Sequence, residues 1–362
     1  MIRIGKFTDF YSDVTKMGTK IPQERYLSKG QFPIIDQGRQ TIAGRWDDED
    51  GIFSDVPAIV FGDHTRAIKY IEEPFFIGAD GVKILRPKNT QDSPKYLFYA
   101  LQAARIPDLG YSRHFKAVKE LDIRVCSKEE QAEIVRILES IDFLIEKRHE
   151  EVRYLDQAVK SRFIELFGDC DLTHPQESWV TIKEIGSVVG GATPKTDHDE
   201  YWGGSYRWIT PAELDADSGY IYDSVRKLTK AGVESCSLQE MPVGTVILSS
   251  RAPIGKVAIA GNTFYCNQGF KNIICKEGIT PRYLYTVLLL NVEYLNSLGR
   301  GATFKEISKG IVESIRIPVP SMELQEQFAA FVEQTDKSKL AVQKGLQELE
   351  ILKKSLMQQY FG

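Results

Sequence analysis

Four short stretches of the second half, Thr193–Trp202, Arg251–Lys256, Asn267–Lys271 and Arg300–Lys305, concentrate side chains that hydrogen-bond bases and phosphates. With nearby Arg207 they supply Thr193, Lys195, His198, Tyr201, Arg251, Lys256, Asn267, Gln268, Lys271, Arg300, Thr303 and Lys305. Arg and Lys fork onto guanine O6 and N7, Asn and Gln onto adenine N6 and N7, and Ser or Thr serve several edges or phosphates. The first half offers Arg39, Arg45, His64, Arg66, Lys69, Lys83, Arg113, His114 and Lys116. A single member of this set is a better phosphate contact or solvated charge than base reader, because roughly half to two-thirds of protein–DNA hydrogen bonds go to the backbone. Arg251 stands out, because Pro253 and Gly255 fix the loop that would aim it. For Tyr201, Trp202 and Tyr206, loop packing is favoured over stacking on a nucleotide.

Catalytic patterns are missing. There is no GxxxxGK[ST] phosphate loop, no Asn-Pro-Pro-Tyr-like or Asp-Pro-Pro-Tyr-like string, and no G-x-S-x-G elbow. Gly190-Gly191 stands outside any G-x-G-x-x-G context. The five histidines are scattered, and Cys126, Cys170, Cys236, Cys266 and Cys275 form no CxxC pair. Free thiols, no metal site, no cofactor and no catalytic residue are therefore expected.

The elements that must position these loops are duplicated. Ser127–Gly168 aligns without gaps on Ser321–Gly362, pairing Gln131 with Gln325, Asp142 with Asp336, Leu155 with Leu349, and Phe167-Gly168 with Phe361-Gly362. Ser127 to Glu130 has capping-box form. Apolar residues then recur at heptad spacing: Ile134, Leu138, Ile141, Ile145, Val152, Leu155, Val159 and Leu166, and again Phe328, Val332, Thr335, Val342, Leu346, Leu349 and Leu356. Each copy predicts one helix of ~60 Å. Two stripes of that length predict a shared coiled coil, with Arg148 as a polar residue on the apolar stripe.

The globular segments repeat more loosely. Pro94–Leu101 matches Pro281–Leu288 as a short helix, and the strand-like Pro57–Gly62 matches Gly244–Ser249. A basic turn follows each, His64–Arg66 in one half and Ser250–Lys256 in the other. The predicted fold class is α+β: a head at 1–125, a long helix at 126–168, a linker at 169–178, a second head at 179–319 and a second long helix at 320–362. The two helices are expected to pack antiparallel, giving an internal pseudo-two-fold repeat.

Composition sets the frame. Hydrophobic content of 42% and charged content of 27% suit a globular chain of 362 residues with about two domains. No apolar run approaches the ~18–20 residues of a membrane span, and no secretory h-region is visible, so a cytoplasmic location is expected. A net charge of −4 argues against a protein that coats nucleic acid through phosphates alone, but not against one basic face.

The ordered strings Trp179–Gly186, Gly190-Gly-Ala-Thr-Pro194, Tyr206–Pro211, Ser250-Arg-Ala-Pro-Ile-Gly255, Cys266-Asn-Gln-Gly269, Gly301-Ala-Thr-Phe304 and Ile315–Pro320 resemble a target-recognition domain of type I restriction–modification specificity subunits. The first half departs from this pattern, with Met17–Pro22 in place of the Gly-Gly-x-Thr-Pro loop. The resemblance implies two heads that each read half of a bipartite double-stranded DNA site, with the helix pair fixing the gap. It implies docking of two methyltransferase subunits, which bring S-adenosylmethionine and N6-adenine methylation, and of motor-nuclease subunits, which use ATP and Mg2+. Two other readings stay open on residues alone: a stand-alone pseudo-symmetric DNA-binding regulator, and a coiled-coil protein-interaction scaffold.

Overall fold

Two helices of 40 residues each, Lys128–Phe167 and Met322–Phe361, stand out in the computed structural model. The structure describes residues 2–78, 80–110, 112–214, 219–301 and 305–362. The first long helix opens on a capping box: the Ser127 amide donates to Glu130 Oε2 at 3.0 Å, and the Glu130 amide donates to Ser127 Oγ at 3.4 Å. Among the described residues no helix is long and apolar enough to cross a membrane.

One series of the shielded positions along the second long helix runs Phe328, Val332, Thr335, Lys339, Val342, Leu346, Leu349, Lys353, Leu356 and Tyr360. Their alternating spacing of four and three places them on one side of the helix. Two of them are lysines, which the apolar series in the sequence passes over. Each finds a carboxylate, because a shielded ammonium without one is costly. Lys339 Nζ lies 2.8 Å from Asp156 Oδ1, and Lys353 Nζ lies 2.5 Å from Asp142 Oδ1. Arg148 instead reaches Glu151 on its own helix, with its side chain 43% exposed, so its charge stays in water.

Packing divides the chain into unit 1, Met1–Glu151 with Val342–Gly362, and unit 2, Val152–Ala341. Each long helix is shared between the two. In unit 1 a four-stranded antiparallel sheet has the order Tyr11–Asp13, Val82–Pro87, Ala58–Gly62, Ile68–Ile71. A smaller sheet joins Gly44–Trp46, Phe32–Ile35 and Phe76–Ile77, and Arg3–Lys6 pairs with Asp122–Val125 just before the long helix. Unit 2 repeats this plan. Its larger sheet runs Gly186–Val189, Asn272–Cys275, Val246–Ser250, Ile254–Ala260, Tyr220–Ile221, its smaller one Arg226–Leu228, Trp202–Ile209, Tyr265–Cys266, and Val180–Thr181 pairs with Arg316–Ile317. Both units are α+β.

One short helix covers each larger sheet. Pro94–Ala103 starts on Ser93, whose Oγ accepts from the Tyr96 amide, and Pro281–Leu290 starts on Thr280, which accepts from the Tyr283 amide. Proline at the first helical position loses no bond there, since that N–H has no partner inside a helix. In unit 2 the helix buries Tyr283, Leu284, Val287 and Leu288 against Val246, Leu248, Ile259 and Ile273. Each such side chain stabilises the fold by about 1.5–3 kcal/mol. Residues 169–178 join this core too: Cys170 and Leu172 are buried, and Asn291 donates to Cys170 O and accepts from the Leu172 amide.

Candidate nucleic-acid interface

In unit 2 the backbone brings Arg251–Lys256, Asn267–Lys271, the Thr193 end of a third stretch and Arg300 of the fourth to one end of the larger sheet. Gly191 sits so close to Cys266 O that a Cβ there would lie 2.0 Å away, which fixes the loop before Thr193 against the loop of Asn267. Thr193 Oγ1 then donates to Gln268 Oε1 at 2.6 Å. The Ser250 amide donates to Gly269 O, and the Ile307 amide donates to Ser250 O, so the turns carrying Arg251 and Arg300 join the same cluster. Both arginines pair through their backbones with Glu306. Lys271 Nζ lies 3.0 Å from Glu306 Oε1, and Lys256 Nζ donates to Pro211 O and Leu214 O. These two lysines spend their charge inside the cluster, whereas the Arg251 guanidinium makes no hydrogen bond among the described residues. Arg300 and Lys305 are exposed beside it, and Thr303 lies outside the described residues.

The remaining candidates of unit 2 group elsewhere. His198 stacks on Tyr201 at 5.0 Å and binds Glu200 at 2.7 Å, which holds the Glu200 carboxyl below its usual range. The Trp202 indole N–H donates to Lys195 O and tethers that loop, and Arg226 lies over the Trp202 ring at 3.5 Å. Trp202 thus packs its own loop. Arg207 meets Asp223 at 3.2 Å; the Ser224 amide, Lys227 and Arg207 together hold that carboxyl low. Arg226 was not singled out by sequence reasoning, nor was Glu306, whose only signal is an acidic residue following Lys305 in a basic loop.

Unit 1 gathers a comparable cluster. Gln37 Oε1 accepts from the His64 amide, Thr65 Oγ1 donates to Gln37 O, and a Cβ on Gly81 would meet both Gln37 and His64. The turns of Arg39, His64–Arg66 and Gly81 therefore lie together. Arg66 Nη2 reaches Asp108 at 2.8 Å; the Gly110 amide, then Arg66, hold the Asp108 carboxyl low. Arg39, Arg113 and Lys116 are exposed. Lys83 spans Asp13 and the Phe115 ring, and Arg45 donates to Gly30 O and Gln31 O, holding a loop rather than facing outward.

Two candidates are corrected here. His114 is 1% exposed, its Nδ1 bonded to Asp63 O at 2.9 Å and its Nε2 accepting from the Leu109 amide at 3.1 Å. With both ring nitrogens committed to the backbone, it props the loop before Arg113 and has no free ring nitrogen to offer outward. Lys69 is 7% exposed and donates to Asp36 O at 2.8 Å; burial pulls its pKa down in spite of Asp36. A polar residue in a basic turn looks the same in sequence whether it points out or in.

Among the described residues, the non-glycine positions with left-handed backbone are Arg66, φ 61°, and Ala252, φ 46°. One falls in each of the matched basic turns. Such conformations cost about 1–3 kcal/mol and persist where surrounding structure imposes them, often at ligand contacts. Among the described residues no cluster of His, Cys, Asp and Glu could hold a metal ion.

The family described as "Type I restriction modification DNA specificity domain" matches residues 6–154 and 177–351. A stretch of 184 residues is 43% identical to the type I restriction enzyme MjaIX specificity subunit of Methanocaldococcus jannaschii, covering 49% of this chain and 42% of that relative. The type I restriction enzyme EcoR124I/EcoR124II specificity subunit of Escherichia coli is 25% identical over an alignment 379 positions long, covering 97% of this chain and 90% of that one. The crystal structure of a type I restriction-modification S subunit from M. genitalium superposes with a TM-score of 0.60 at 17% identity. That superposition covers 100% of this chain and 96% of the other, and speaks to the fold. With one matched stretch for each head of the repeat, the chain belongs to the type I restriction modification DNA specificity family.

Proposed function

We propose that this chain is the sequence-specificity subunit of a type I restriction–modification complex. Each head reads one half of a bipartite double-stranded DNA site. The observation that carries this reading is the pair of matched basic turns with imposed backbone, one bearing Arg66 and the other Arg251 beside Ala252. Within one cluster Lys271 is paired with Glu306 and Lys256 is tied to two backbone carbonyls, which leaves Arg251 able to fork onto a guanine. Phosphate contacts by exposed Arg300, Lys305, Arg39, Arg113 and Lys116 would set the register of each head on the duplex.

The long helices act as the spacer. Lys339–Asp156 and Phe163–Phe328 contacts in unit 2, and Lys353–Asp142 in unit 1, support an antiparallel coiled coil. In this reading the helices dock two methyltransferase subunits, whose S-adenosylmethionine supplies the methyl group for adenine N6. Motor-nuclease subunits bring ATP and Mg2+, and the chain itself is non-catalytic and works in the cytoplasm. The test is long-read mapping of methylated adenines in cells carrying this chain with a methyltransferase subunit encoded beside it. A two-part motif with a fixed gap is expected. A one-part motif, or no motif, defeats the proposal.

A further inference from the structure

One buried glutamine fastens each head to the start of a long helix. Gln131 is 1% exposed and Gln325 0%. Gln131 Oε1 accepts from the Ser93 amide at 2.8 Å, while its Nε2 donates to Cys126 O and to Asp92 Oδ1, both at 3.0 Å. Gln325 does the same at the other joint: Oε1 accepts from the Thr280 amide at 2.8 Å, and Nε2 donates to Pro320 O at 2.9 Å and Gly278 O at 3.0 Å. The amide orientation follows from the partners, a backbone N–H facing the oxygen and oxygen acceptors facing the nitrogen. Ser93 and Thr280 are the N-caps of the short helices, and Cys126 and Pro320 close the segments that lead into the long ones. A single side chain thus joins three backbone segments.

A second contact, about three turns along, completes each attachment. Tyr99 Oη donates to Asp142 Oδ2 at 2.8 Å, and Arg282 Nη2 to Asp336 Oδ2 at 2.9 Å. Gln131 with Gln325, and Asp142 with Asp336, are the same positions of the two repeats, although the short-helix residues that meet the aspartates differ in kind. Two points of attachment fix both the tilt of a head on its helix and its rotation about it. Helix length alone leaves those two freedoms open, and a head that rocked would reach half-sites at more than one gap.

We infer that Gln131 and Gln325 are positioning residues that hold the DNA gap to one length; this rests on the function proposed above. The test uses the full chain with its methyltransferase subunits and duplexes carrying the mapped site with the native gap, one base pair less, or one more. Gln131→Met keeps the side-chain length and removes all three hydrogen bonds, and Gln131→Asn keeps the amide but shortens its reach. In both variants the preference for the native gap is expected to fall about fivefold, which corresponds to the net worth of about one of the hydrogen bonds removed or lengthened. Base preference within each half-site is expected to stay the same. Gln325→Met is expected to act alike. Unchanged gap preference overturns the inference, as does an equal loss on all three duplexes, or failure of both Gln131 variants to fold. A wild-type chain that reads no two-part site overturns the function instead, so the two failures are distinguishable.

Discussion

The ring of Phe361 lies 5.1 Å from that of Tyr96 in unit 1, tilted by 52°. Its repeat partner Phe167 makes the equivalent contact with Tyr283 in unit 2, at 4.8 Å and 72°. Each long helix therefore ends on the short helix of the head that it does not follow in sequence. The twice-repeated Phe-Gly pair is a plug, and the heads are completed by it.

Phe361→Ala is expected to destabilise unit 1 by about 1–3 kcal/mol, less than a fully buried phenylalanine because this ring is only partly covered. Phe163, 0% exposed between Tyr283 and Phe328, should cost about 3–5 kcal/mol on the same change, and from unit 2. Denaturant unfolding followed by hydrogen exchange assigns each loss to its unit.

Arg251→Ala is expected to weaken binding to the cognate site by about 1–3 kcal/mol. Lys305→Ala, removing an exposed charge, should instead lower affinity for all sequences and flatten the salt dependence. Titrations of cognate and scrambled duplexes at several matched salt concentrations separate the two effects. Wild-type affinity of the Arg251 variant at matched salt would remove it as a base reader.

Adding one heptad to both long helices, between Glu151 and Val152 and between Ala341 and Val342, keeps the shielded stripe in phase. Each helix grows by about 10 Å. At 3.4 Å per base pair the methylated motif should gain about three base pairs of gap, with both half-sites unchanged. Methylation mapping reads this directly, and an unchanged gap would dismiss the helices as the spacer.

Burial pushes the Cys266 and Cys275 thiols, both in unit 2, from an ordinary 9.0 to about 12. Between those values the unfolded chain has lost protons that the folded chain keeps. Stability is therefore full below pH 9 and falls as pH rises toward 12, by up to about 1.4 kcal/mol per pH unit for each thiol. Denaturation midpoints of unit 2 measured from pH 8 to pH 11 should show the decline, and Cys266→Ala with Cys275→Ala should make it shallower. Tyr265, also raised to about 12 by burial and by Glu240, leaves part of the slope in place.

The long helices are legible in the sequence because a heptad stripe and a capping box are local signals, carried by residues that neighbour one another on the helix. The pairing of Gln131 with Gln325 is legible too, as identity across a repeat, but not its role, since Ser93 and Thr280 lie 38 and 45 residues away. Candidate interface residues were legible by type and not by direction. His114 and Lys69 carry the right chemistry, yet partners brought in from Asp63 and Asp36 turn them inward. Lys339 and Lys353 show the converse, charged residues on an apolar stripe because distant aspartates meet them.

Unit 1 is assembled from two pieces, Met1–Glu151 and Val342–Gly362, with all of unit 2 between them in sequence. A ribosome adding ~5–20 residues per second delivers the first piece on the order of ten seconds or more before the second. The side of Tyr96 that meets Phe361 waits uncovered over that interval, while unit 2 has every residue that it needs before the last turns of the chain emerge. The order of birth is thus the reverse of the order of completion: the head synthesised first is the last to be closed.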